Sequence, residues 1–282
     1  MAKVREVSVK DVEQAVYKMA LDAAYHIPED VLAAEKEAYA KEKSEVAKKV
    51  FDTIFSNIEV SSKEEFPLCQ DTGLGILFVE VGQDVHFVDG YIVDAINSGV
   101  ERAYKDGYLR KSSCHPLTRA NYGNNLPAII HTFVVPGDKV KIVFDAKGGG
   151  SESMSKVQML KPADGRDGIV KTVVDWVIEA GPNPCPPTII GVGIGADFER
   201  SAVMAKHATL RKVGEPSTDP DLADMEKEIL TKINNSGVGP AGLGGLTTCL
   251  AVHIEMEPCH IATLPLAINT ACHVNRHKET EL

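Results

Sequence analysis

Apolar positions recur at helical spacing from residue 8 to about 58, and the pattern then shifts to short apolar runs broken by glycine and proline. Ser8 is placed to cap a first helix with Val12, Ala15, Val16, Met19 and Ala20 on one face. Pro28 suits the first turn of a second helix, through VLAAEKEAYAKEK. A third helix, SEVAKKVFDTIFSNI, places Val46, Val50, Ile54 and Phe55 on a common stripe and gives way to the charged segment SSKEEFP. Beyond it, 75–82 and 127–135 read as strands, the latter joined by a Pro136-Gly137-Asp138 turn to a strand at 139–146. Residues 91–107 and 165–181 read as helices closed by glycine. A buried strand at 187–196 runs into a helix, another helix lies near 220–234, and strands follow at 247–256 and 263–271. The predicted fold is α+β (mixed α/β): an N-terminal helical region, 1–65, packed on a sheet-containing body, 66–282.

Composition narrows the class. Of 282 residues, 44% are hydrophobic and 25% charged, the mix of a folded globular chain. No apolar run is long enough to cross a membrane, and the N-terminus lacks the apolar stretch of a secretory signal. Thirty basic against forty acidic residues give a net charge of −10, which argues against nucleic acid as a partner. Six cysteines, Cys69, Cys114, Cys185, Cys249, Cys259 and Cys272, are spread without CxxC pairs, the usage expected of a reduced, cytoplasmic chain.

Four loop segments combine glycine or proline with reactive side chains: 67–73 (PLCQDTG), 147–153 (KGGGSES), 183–187 (NPCPP), and Cys259-His260 together with Cys272-His273. The glycine run is either a flexible turn or a cradle whose N–H groups converge on an anion; the Walker spacing is absent. Gly191, Gly193 and Ala196 fit a G-x-G-x-x-A fingerprint between a strand and a helix, with Glu215 about twenty residues on. Against a dinucleotide site stand the lack of an earlier βαβ unit and the tight Pro186-Pro187 opening of the strand. Cys185, followed by two prolines, sits on a stem with restricted φ, suited to holding a metal ligand. Three separated cysteines on such loops can bind one face of an iron–sulfur cube and leave one iron open.

CQDTG at 69–73, KGGGS at 147–151, Cys185-Pro186-Pro187, GVGIG at 191–195 and GVGPAGLGG at 237–245 occur in this order in class I, iron–sulfur-dependent fumarate hydratases. The two-subunit form and L-tartrate dehydratase share them. The chain resembles their α subunit from about residue 10 to 277. The resemblance implies a [4Fe–4S] cluster held by Cys69, Cys185 and Cys272, with Asp71 as a proton-transfer group and Gln70 contacting substrate. It implies further that Arg119 clamps a substrate carboxylate, that Gly148, Gly149 and Gly150 offer N–H groups, and that His260, twelve residues before Cys272, acts in the site. His207, His273 and His277 read as bland, the latter two as surface residues. The implied reaction interconverts fumarate and L-malate, with the open iron as Lewis acid. L-tartrate dehydration and a non-catalytic scaffold of the same fold are the alternatives. The opposing base belongs in the family to a second domain, so the resemblance implies a separate β subunit and a hetero-oligomer built on an α–α dimer.

Overall fold

The computed structural model describes residues 4–282. In chain order the elements are β1 (Arg5–Ser8), α1 (Val9–Tyr25), α2 (Glu29–Lys41), α3 (Glu45–Glu64), β2 (Leu74–Gly82), β3 (Val85–Val88) and α4 (Ile92–Asp106). There follow β4 (Ile129–Val135), β5 (Val140–Lys147), α5 (Gly149–Glu152), β6 (Lys156–Leu160), α6 (Gly165–Ala180), β7 (Thr188–Gly195) and α7 (Phe198–Ala208). The chain closes with α8 (Pro220–Asn234), β8 (Cys249–Glu257), β9 (Leu264–Ala271) and β10 (His277–Glu281). The fold is α+β with mixed sheets, as the periodicity predicts.

Two compact units divide these elements: Met1–Pro28, Asn57–Gly149 and Arg276–Leu282 form the first, Glu29–Ser56 and Gly150–Asn275 the second. The N-terminal helices divide between these two units. Helix α1 belongs to the first unit, α2 to the second, and α3 contributes to both.

In the first unit the sheet order is β10-β5-β2-β4, with β1 and β3 pairing separately in parallel. Ser8 caps α1 as expected, its hydroxyl accepting the Lys10 N–H. Val12, Val16, Met19 and Ala20 of α1 join Ile96 and Val100 of α4 and Leu77, Val79, Ile142 and Phe144 of the sheet in one core. Strands β4 and β5 are not a hairpin. Both flank β2, β4 in parallel and β5 antiparallel, and the 136–139 link wraps the end of β2. There the Gly82 N–H donates to Lys139 O (2.8 Å) and the Gln83 N–H to Val135 O (2.8 Å). A Cβ on Gly82 would lie 2.5 Å from Gly137 O, so glycine is required at this crossing. The buried stripe of α3 is Ala47, Phe51, Ile54, Ile58 and Ser61, with Val46 half exposed, so the face is rotated by one residue from the predicted one.

The second unit carries the sheet β6-β9-β7-β8. Strand β7 alternates its faces: Ile190, Val192 and Ile194 pack in a core with Val173 and Val177 of α6 and Ile229 and Ile233 of α8. Gly191 and Gly193 face α7 instead. A Cβ on Gly191 would lie 1.9 Å from Ala205 O and one on Gly193 2.0 Å from Ser201 O. These glycines let α7 rest on the strand, which accounts for the fingerprint spacing without a nucleotide. Gly193→Ala is expected to cost about 3 kcal/mol or more through overpacking against helix backbone. Denaturant unfolding checks this, and an unchanged midpoint would contradict it.

Candidate active site

In the first unit, CQDTG leaves the core on a short loop anchored just before Cys69. The Leu68 N–H donates to Ala24 O (2.9 Å), and Asn57 Nδ2 donates to Leu68 O (2.9 Å). Cys69 is partly exposed, with Sγ 3.7 Å from Gln70 Oε1. Asp71 is held at both oxygens: Oδ1 accepts the Gly73 N–H (3.0 Å) and Oδ2 the Gly149 N–H (2.7 Å). The first bond is the turn-capping one that any Asp-Thr-Gly can make; the second ties the CQDTG loop to the glycine run. The Gly149 N–H thus serves Asp71. Gly73, at φ +80°, admits no side chain, since a Cβ would lie 2.8 Å from Ala146 C. A Cβ on Gly148 would lie 3.3 Å from Asp71 Oδ2 and 3.6 Å from Arg276 Nη2, so an arginine and the aspartate flank this glycine.

Three residues of this surrounding carry no motif signal. Arg276 is 2% exposed, and its Nε and Nη1 have no hydrogen-bond partner among the described residues. The Tyr104 hydroxyl lies 2.7 Å from Thr72 O and 3.0 Å from Gly73 O, and burial holds its pKa well above the ordinary phenol value. Asn125, fully buried, accepts the Ser112 N–H (2.7 Å) and Ser113 N–H (3.3 Å) on Oδ1 and donates from Nδ2 to Gly73 O (3.1 Å). Thr72 Oγ1 donates to Arg110 O (2.8 Å). Together these bonds fasten the 109–125 segment to the CQDTG loop and place Arg119 on the same unit as Asp71. Arg119 has φ +61° and an exposed side chain; its N–H donates to His115 O (2.9 Å). Its guanidinium makes no ion pair with a carboxylate among the described residues.

In the second unit, Cys185 stands exposed at φ +56° on the 182–187 loop. Its N–H donates to Pro182 O (3.1 Å), and its carbonyl accepts the His273 N–H (3.3 Å). Cys185 and the residue after Cys272 are therefore joined, and the unit brings these two cysteine segments together. Gly150 lies beside the same loop, its Cβ position 3.7 Å from Asn183 O. His260 occupies an exposed turn where Nδ1 accepts the Ala262 N–H (3.1 Å), which puts the proton of the neutral ring on Nε2. Neighbouring Cys259 donates Sγ–H to Thr263 O (3.2 Å). His273 is not a surface residue: its Nδ1 lies 3.3 Å from Oε1 of Glu35, a carboxylate with no exposure whose pKa burial raises.

Exposure is compatible with thiolate ligation at five of the six cysteines. A ligand cysteine must ionise and be reachable. Cys249 fails on both counts, being buried in β8 with its thiol pushed up to about 12 by desolvation. Cys69, Cys185 and Cys272 lie on loops and are partly or fully exposed, and no disulfide engages them. Among the described residues no three His, Cys, Asp or Glu side chains are arranged around a single metal ion. A cube whose irons are each bound by a different cysteine does not require that arrangement.

Residues 13–281 match the family model described as fumarate hydratase (fumerase). A protein of Methanocaldococcus jannaschii, provisionally named L(+)-tartrate dehydratase subunit alpha, is 41% identical over 271 residues, 94% of this chain and 95% of its own length. The L(+)-tartrate dehydratase subunit alpha of Escherichia coli is 31% identical over 254 residues, 89% of this chain and 84% of the relative. That of Shigella sonnei is 30% identical over the same length. With CQDTG, the glycine run and the CPP loop all inside the matched span, the chain belongs to the fumarate hydratase (fumerase) family.

Proposed function

We propose that the chain is the α subunit of an iron–sulfur hydro-lyase that interconverts fumarate and L-malate. The observation that carries this reading is Asp71, two residues from Cys69, with one N–H bond to each carboxylate oxygen. Such bonds fix the orientation of the group while its remaining lone pairs stay available for proton transfer. Cys69, Cys185 and Cys272 would hold a [4Fe–4S] cluster, which when bound supplies a Lewis-acidic iron for the substrate hydroxyl. Gln70 and Arg119 would bind the dicarboxylate, the guanidinium pairing with a carboxylate through parallel N–H bonds. His260 would hold a proton at Nε2, as its Nδ1 contact dictates. Gly148 keeps the space between Asp71 and Arg276 open.

This assignment places the opposing base on a separate β subunit, in a hetero-oligomer with an α–α dimer at its centre. A reducing, cytoplasmic compartment accompanies it, because the thiolate ligands must stay unoxidised. No helix among the described residues is long and apolar enough to cross a membrane. The names of the relatives favour L-tartrate as a second reading. The two substrates differ by one hydroxyl, and a pocket separates them strongly only if a polar group waits for it. Comparing kcat/KM for L-malate and L-tartrate, on protein made anaerobically with its partner, decides between them. A preference for L-malate supports the proposal; a preference for L-tartrate replaces it with the second reading.

A further inference from the structure

The buried stripe of α2 runs Val31, Glu35 and Ala38 at helical spacing, and Glu42, the residue directly after the helix, is buried as well, so two of these four buried residues are glutamates. Glu35 is 0% exposed and Glu42 4%. Burying a carboxylate costs free energy that an apolar side chain at the same position would avoid. Glu35 Oε2 has no hydrogen-bond partner among the described residues, and Oε1 meets only His273 Nδ1 at 3.3 Å. Stability alone does not explain such a residue.

Both glutamates lead to the Cys185 loop. His273 follows Cys272 in sequence and donates its backbone N–H to Cys185 O, so fixing the His273 ring fixes the point where the two cysteine segments meet. Glu42 Oε1 accepts the N–H groups of Lys43 and Ser44 (2.8 and 2.9 Å), and Oε2 reaches across to the Leu246 N–H (2.8 Å). Leu246 directly follows the GVGPAGLGG segment, whose Ala241 N–H donates to Pro186 O (2.8 Å). Gly245, at φ +143°, is needed where the carboxylate approaches, since a Cβ there would lie 2.8 Å from Glu42 Oε2. Gly242 backs the same loop, with its Cβ position 2.5 Å from Pro182 Cβ.

We propose that Glu35 and Glu42 are positioning residues, and that α2 is a bracket holding the Cys185 and Cys272 thiols in their ligating arrangement. Glu35 acts through His273, and Glu42 through the 237–246 segment. The proposal rests on the reading of these cysteines as cluster ligands, but the thiols can be followed without the cluster.

The test compares wild type, Glu35→Leu, Glu35→Gln and Glu42→Gln by alkylating the cluster-free folded chain with iodoacetamide and resolving each cysteine by mass spectrometry. Cys259, on its own turn, is the internal reference. In Glu35→Leu the Cys272 rate should rise about fivefold against Cys259, the population change that one lost hydrogen bond of ordinary strength permits. Glu35→Gln keeps an acceptor for His273 and should stay within about twofold of wild type by the same reasoning. Glu42→Gln loses one carboxylate oxygen and should raise the Cys185 rate; it serves as the decisive variant if Glu35→Leu does not fold. In cluster-loaded protein, Glu35→Leu should lose iron to a chelator faster than wild type. Unchanged Cys272 and Cys185 rates relative to Cys259, or an equal rise at all three, would overturn the proposal. A chain that binds no iron in any variant would remove the cluster reading, while the alkylation rates would still decide the bracket.

Discussion

Asp71→Asn should lower kcat for fumarate hydration by about 10²–10⁴, the usual worth of a positioned acid–base group, with iron content unchanged. The geometry makes the substitution informative. Asp71 accepts one N–H at each oxygen, so an asparagine must lose either the Gly73 or the Gly149 bond as well as the negative charge. The local turn can survive on the Gly73 bond, because asparagine forms the same kind of turn. The proton-transfer capacity cannot. Steady-state kinetics on the variant, with iron and sulfide measured on the same sample, checks this. A kcat near that of the wild type would remove Asp71 from the acid–base role.

Cys185→Ala should yield a folded chain that retains no cluster and has no measurable hydratase activity. The same outcome is expected for Cys69→Ala and Cys272→Ala, because three cysteines are the minimum that hold a cube with one open iron. Cys249→Ala is the contrasting case. Its thiol is buried in β8 and donates to Ala251 O, and burial keeps it protonated, so iron content should be unaffected. Iron analysis across the four variants reads the assignment directly. Normal iron in Cys185→Ala would refute it.

Much of this was legible in the sequence because it depends on local periodicity. The α1 face, the Gly107 and Gly181 helix ends and the continuous apolar run of β7 follow from spacing and turn chemistry alone. Pairing was less legible. The 136–138 segment reads as a turn joining two strands, yet β2 inserts between those strands, and the link passes Gly82, some fifty residues away in sequence. The α3 stripe shifts by one position because Ala47 and Ser61, small or polar, are buried where larger apolar neighbours are not.

The motifs named the segments of the site but not what holds them. Asn125, Arg276, Glu35 and Glu42 are polar residues in polar surroundings when read along the chain. Three of them meet partners 52 or more residues away: Gly73 for Asn125, Leu246 for Glu42 and His273 for Glu35. Single-sequence patterns carry no record of such contacts. Along the chain His273 reads as a surface residue for the same reason, its carboxylate partner lying 238 positions earlier.

On the proposed reading, this chain carries the cluster half of a two-subunit hydratase. Malate formation from fumarate, measured anaerobically on the cluster-loaded chain before and after adding the smaller partner subunit, tests it most directly. The chain alone, shown partner-free by mass spectrometry, should give little or no turnover, and the pair a rate of about 1–10³ s⁻¹, the ordinary enzyme range. Turnover in that range by the partner-free chain would refute the two-subunit site.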